Sequence, residues 1–217
     1  MSVNTQSPNL EPRWPIVLVA IVVYASSQLP GRVRALPQWA VVLLAASLVV
    51  PMLAVNLGRE KQRWLQLERA AIAVFLTVIS FTLILDLRDI FHAMLRPPNG
   101  LTGIELLNSS IAVWATNVLM FSVVYWWIDR GGAEARVCGE TLAPDWLFPR
   151  DEAEDLPSWQ PTYVDYLFLA FCTATSFGPT EAMPLTSRAK LLMMAESSVS
   201  LVTVLAIASR AIGLLGS

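Results

Sequence analysis

Residues 163–187 read YVDYLFLAFCTATSFGPTEAMPLTS. The first part of this stretch, 163–177, is apolar but short, and it is rich in Thr and Ser. A helix that crosses a bilayer needs about 20 apolar residues, and shorter segments are more often re-entrant or interfacial. Immediately downstream, 190–215 is a full-length apolar block. A short apolar segment leading straight into a complete span is the pattern of a membrane protein.

Composition agrees with that reading. Apolar residues make up 55% of the 217 and charged residues only 15%, with a mean hydropathy of +0.54. A water-facing surface needs about 25% charged residues, so a soluble fold is excluded. The net charge of −2 gives no basic face for nucleic acid.

Upstream of 163 lies a polar, mostly acidic loop, 129–162, long enough to be functional or a linker. Its Asp and Glu residues read as solvated loop charges. Before it, 104–128 is a span that ends in Tyr125, Trp126 and Trp127, read as an aromatic belt at the membrane interface. The turn Arg96-Pro97-Pro98-Asn99-Gly100 separates it from 70–91, a span with Asp86, Arg88 and Asp89 in its last turns. A charged connector at 58–69 clusters Arg59, Lys61 and Arg63. Block 39–57 spans, with Pro51 as a tolerated kink. Block 15–29 is short, flanked by Trp14 and by Pro30-Gly31, and no small-residue cleavage site follows it, so it reads as a first span and not a leader.

The expected fold is therefore an all-α integral membrane protein with about five transmembrane helices and one re-entrant helix and loop before the last span. Its parts are a polar N-terminus (1–14), a three-helix peripheral region (15–103) and a C-terminal region (104–217). The C-terminal region divides into an outer helix (104–128), the polar loop (129–162), the re-entrant segment (163–187) and a last helix (188–215).

The order of residues in 165–213 resembles the pore region of tetrameric pore-loop cation channels of the two-helix potassium-channel type. That family runs from a pore helix to a filter ending Thr-Val-Gly-Tyr-Gly-Asp, then a Pro-x-Thr mouth and a lining helix. Asp165, Phe171, Thr173 and Thr175 fall where the family's pore helix and filter entry carry those residues, and Pro184 and Thr186 match the mouth. Glu196 and Arg210 match an acidic and a basic residue of the lining helix, with Gly213 in register. The resemblance covers about a quarter of the chain. It implies a homotetramer in the plasma (inner) membrane, with monovalent cations and the lipid bilayer as partners.

The filter itself departs from the family. It reads Ser176-Phe177-Gly178-Pro179-Thr180-Glu181. Stacked carbonyls need glycines at alternating positions that accept positive φ. Gly178 keeps the first, but Thr180 replaces the second, and its branched Cβ disfavours that conformation. Pro179 replaces the tyrosine, fixing φ and removing an N–H. What remains is a hydroxyl-rich entrance (Thr173, Thr175, Ser176), Gly178 and a ring of Glu181 carboxylates in a tetramer. Carboxylate rings attract cations with weaker selectivity. The expectation is a cation pore that is not strictly potassium-selective. The alternative is a non-conducting scaffold or accessory subunit that keeps the channel-like fold.

Polar and charged residues inside the spans carry further signals. Glu196 is read first as a hydrogen-bond anchor for the re-entrant loop and second as an ion contact. Asn117 suits an interhelical hydrogen bond. Ser197, Ser198, Ser200 and Thr203 suit close packing or a wetted wall, and Ser200 stands where the family often has a hinge glycine. Asp86, Arg88 and Asp89 read as snorkelling and mutually paired.

No regular arginine ladder marks a voltage sensor, no inverted repeat marks a transporter, and no Ser/His, paired-Asp or metal set lies in the spans, so no enzyme is expected. Cys138 and Cys172 sit in unlike settings without metal-ligand spacing, and His92 is the sole histidine. No cofactor or metal is expected. Orientation is in conflict. Placing the filter mouth outside leaves the N-terminus, 58–69 and 129–162 outside with one, four and three Lys/Arg, against two, one and one in 30–38, 92–103 and the C-terminal end. The positive-inside bias favours the reverse.

Overall fold

The computed structural model describes residues 61–95, 103–132, 143–152, 159–176 and 182–215. The expected spans 15–29 and 39–57 and the filter residues Phe177, Gly178, Pro179, Thr180 and Glu181 lie outside the described residues.

The described chain is mostly helical. Helix α1 covers Lys61–Leu95 and α2 covers Gly103–Ile128. A single 3-10 turn, Asp129–Gly131, follows. Then come β1 (Trp146–Leu147), a second 3-10 turn (Pro149–Glu152), α3 (Tyr163–Thr175), β2 (Met183–Pro184) and α4 (Ser187–Leu215).

Three stretches are long and apolar enough to cross a membrane. They are Ala70–Ala93, Gly103–Gly131 and Ser187–Ser209, with mean hydropathies of 2.4, 1.6 and 1.9. At about 1.5 Å per residue, the shortest reaches roughly 34 Å, more than the ~30 Å hydrocarbon core. The protein is membrane-embedded. α3, at 13 residues, is an apolar helix too short to cross.

Helix α1 begins at Lys61, so much of the connector expected at 58–69 is helix. Its residues (KQRWLQLER) are mostly good helix formers, and the helix continues past the apolar limit into the charged stretch. α2 sits at the centre, packed by α1, α3 and α4. A core of Val113, Met120, Val123 and Tyr125 on α2 meets Phe75 and Leu76 of α1, Tyr166 and Leu169 of α3, and Ala189 of α4.

Expected interface aromatics prove to be core. Tyr125 is fully buried and Trp126 nearly so, while Trp127 is half-buried. The Trp146 ring covers Tyr125 at a centroid distance of 4.7 Å, so a residue of the polar loop fills the place that lipid headgroups would take. α2 ends by unwinding through positive φ at Arg130, Gly131 and Gly132. At Gly132 a Cβ would also lie 2.7 Å from the Trp127 carbonyl oxygen, so the chain can turn there only with glycine.

Strands β1 and β2 form a two-residue antiparallel ribbon, Trp146 opposite Pro184 and Leu147 opposite Met183. The ribbon fastens the polar loop to the segment entering α4.

Candidate functional site

The site is built around the C-terminal end of α3. Its start is fixed by Asp165, whose Oδ2 accepts from the Thr162 N–H (2.7 Å) and the Thr162 hydroxyl (2.8 Å). A carboxylate in the first turn also suits the positive end of the helix dipole. Tyr163 lies beside α2. The Ser122 proton goes to the Leu119 carbonyl at 2.7 Å, so in the 2.8 Å contact between the two hydroxyls Tyr163 is the donor.

From there α3 runs antiparallel to α2. Tyr163 meets Ser122 and Trp126, and Phe171 meets Trp114 in an edge-on ring contact at 6.0 Å. Trp114 is close to the middle of α2, and Ser200, its partner on α4, is close to the middle of that helix. α3 therefore stops halfway along both neighbours.

A helix leaves its last four carbonyls without intrahelical donors, and in apolar surroundings each needs a partner. Helix α4 supplies two. The Ser200 hydroxyl donates to the Ala174 carbonyl at 2.5 Å, and the Ser197 hydroxyl to the Thr173 carbonyl at 3.3 Å. Ser200 also accepts from the Trp114 indole at 2.9 Å, so one hydroxyl joins three helices. Thr175 donates to the Phe171 carbonyl at 2.9 Å, and Thr173 to the Leu169 carbonyl at 2.8 Å. Ser176 takes the left-handed conformation (φ 54°) and returns its N–H to the Cys172 carbonyl at 2.9 Å, the backbone form of a helix stop.

The hydroxyl-bearing residues at the expected filter entrance, Thr173, Thr175 and Ser176, are thus gathered at one helix end. Thr173 is buried, Thr175 half-buried and Ser176 exposed. Glu196, Ser200 and Thr203 share the inward face of α4 and are fully buried within this chain. The open face of α4 carries Leu191, Met194, Leu201 and Leu205 instead. Asn117 makes an interhelical hydrogen bond, its Nδ2 donating to the Glu196 carbonyl at 3.3 Å. Tyr125 donates to Glu196 Oε2 at 2.5 Å.

A second cluster was missed in the sequence. Asp129 and Asp145, read as solvated loop charges, are both fully buried. Asp145 accepts both arms of the Arg188 guanidinium (2.6 and 2.5 Å) and the Thr186 hydroxyl (2.5 Å), while its carbonyl accepts from the Leu185 N–H at 2.8 Å. Asp129 accepts from the Asp145 N–H at 2.7 Å and from the Tyr166 hydroxyl at 2.6 Å. Thr186 in turn caps α4, accepting from the Ala189 N–H at 3.3 Å. Carboxylates with this many donors are worth burying. The sequence signal that marks this loop as packed is its aromatics, with Trp146 directly after Asp145.

Chemically, the arrangement offers the negative end of a helix dipole, flanked by hydroxyls, at mid-depth between two spans. Among the described residues, no group of three His, Cys, Asp or Glu side chains is placed to hold a metal ion. No family model, no curated protein and no solved structure matches the chain.

Proposed function

We propose that the chain is one subunit of a tetrameric pore-loop cation channel, with a non-standard filter that is not strictly potassium-selective. The observation that carries this reading is the capping of α3 by α4: Ser197 and Ser200 meet carbonyls of a short helix that ends midway along its neighbours. The start of α3 and the return strand β2 lie at the same end of α2, since Trp126 touches Tyr163 and β2 pairs with the strand whose Trp146 covers Tyr125. That geometry supports the reading of 163–187 as a re-entrant loop.

On this reading residues 15–29 and 39–57 add two spans to the three described, making five. Each α3 brings roughly half a negative charge at its C-terminus, and four around an axis would concentrate cations at the end marked by Thr175 and Ser176, with Gly178 and Glu181 proposed from the sequence to complete the constriction. The membrane is the plasma (inner) membrane.

Cation flux into liposomes carrying purified protein, K⁺ against Na⁺, tests the proposal with Glu181→Gln alongside. Flux that weakens or changes its K⁺/Na⁺ ratio in the variant is the expected result. A folded fourfold particle with no flux above empty liposomes would leave a non-conducting scaffold. A monomer or dimer would remove the pore.

A further inference from the structure

The seam between α2 and α4 holds two acceptor oxygens with no donor. Glu196 is fully buried; its Oε2 accepts from Tyr125, but its Oε1 has no partner. Asn117 is equally buried; its Nδ2 donates to the backbone of Glu196 itself, and its Oδ1 also has no partner.

An ionised carboxylate and an amide oxygen are both acceptors only. Neither can satisfy the other, and a charge left unpaired in apolar surroundings is strongly disfavoured. Among the described residues no Lys, Arg or His pairs with Glu196. From α2 the titratable group facing it is Tyr125, a neutral donor, and Trp146 of β1 closes over that ring. From α3 the adjacent contact, Ser197 with the Thr173 carbonyl, is uncharged. Asp129, Asp145, Tyr166 and Arg188 bond among themselves.

One added donor resolves both orphans. We propose that Glu196 is a resident carboxylic acid, its Oε1–H serving Asn117 Oδ1 directly or through one enclosed water, so that a proton is the ligand joining α4 to α2. When base removes that proton to bulk water, the carboxylate keeps Tyr125 as its sole side-chain donor and the seam loosens. The inference stands whether or not the protein conducts.

Infrared spectra and thermal unfolding of the full-length protein in nanodiscs test it. At neutral pH the wild type should show a carboxylic-acid carbonyl band that Glu196→Gln removes. Gln reproduces the bonding of the acid, with its carbonyl to Tyr125 and its NH₂ to Asn117. Glu196→Gln should therefore unfold at the wild-type temperature, whereas Glu196→Ala should unfold several degrees lower. The wild type should lose stability as the pH becomes alkaline and the Gln variant should not. Asn117→Ala keeps the acid and removes its acceptor, so its band should move towards the frequency of an acid without a hydrogen bond. No band assignable to Glu196 at neutral pH, or a band unmoved by Asn117→Ala, would overturn the proposal. So would wild-type stability that rises with Na⁺ or K⁺ and loses that dependence in Glu196→Gln, which would make the ligand a metal cation.

Discussion

The Ser200 hydroxyl lies 2.5 Å from the Ala174 carbonyl oxygen, joining the middle of α4 to the end of α3. It is also the acceptor for the Trp114 indole, so removing it strands a donor and an acceptor together. A buried polar group left without its partner costs about 1–3 kcal/mol. Ser200→Ala should lower stability by an amount in that range, read as a fall in unfolding temperature in detergent. Ser198→Ala is the control: Ser198 is exposed and bonds only the Met194 carbonyl of its own helix, so its loss should be close to neutral.

Asp145 and Arg188 clamp the polar loop to the start of α4. Removing one partner of a fully buried pair costs roughly 3–5 kcal/mol. The Arg188 side chain is 59% exposed, and water screens its half of the pair. Arg188→Ala leaves the buried Asp145 carboxylate without its charge partner, and Asp145→Ala strands the Thr186 hydroxyl, so each should lower stability, by less than the fully buried value because of that screening. Trypsin should cut the 129–162 loop faster in both variants, and a double-mutant cycle should show that the two losses do not add.

Ser176 holds a left-handed conformation that costs an L-residue about 1–2 kcal/mol and glycine almost nothing. Ser176→Gly should raise the unfolding temperature, and Ser176→Val should lower it. The same Gly variant in the flux assay separates a stabilised helix stop from a functional hydroxyl. If conduction falls while stability rises, the hydroxyl itself serves the entrance.

The return path of the chain can be read with single cysteines in a Cys138→Ala, Cys172→Ala background. Thr162→Cys and Leu185→Cys should react with a membrane-impermeant maleimide from the same face of sealed vesicles, and Ile104→Cys from the opposite face. All three side chains are exposed. Labelling of 162 and 185 from opposite faces would mean that the segment crosses.

Hydropathy and turn residues located α2, α3 and α4 to within a few positions, because a bilayer imposes length and apolarity on each segment separately. Asn117 was legible as an interhelical bond for the same reason: an amide in a span needs a partner close by. Tyr125 was not, since an aromatic at the end of a span suits a lipid interface and a protein core equally well. What decides is Trp146, a residue 21 positions further along. Asp129 and Asp145 were misread because their donors, Tyr166, Thr186 and Arg188, come from distant parts of the chain. The early start of α1 was hidden by charge, although charged residues such as Lys61 and Arg63 are good helix formers. In the filter, the conflict between Thr180 and positive φ remains a sequence argument, since that residue is outside the described segments.

The hydroxyls that finish α3 come later in the chain than α3 itself. During synthesis the carbonyls of Thr173 and Ala174 emerge more than twenty residues before Ser197 and Ser200. Until then, sinking the end of α3 into hydrocarbon would leave those carbonyls bare, at several kcal/mol each. On the re-entrant reading proposed above, α3 would wait at the membrane surface and enter only together with α4. On that reading residues 163–215 insert as one unit, and a nascent chain stalled before Ser197 would hold 163–176 outside the bilayer, open to proteases.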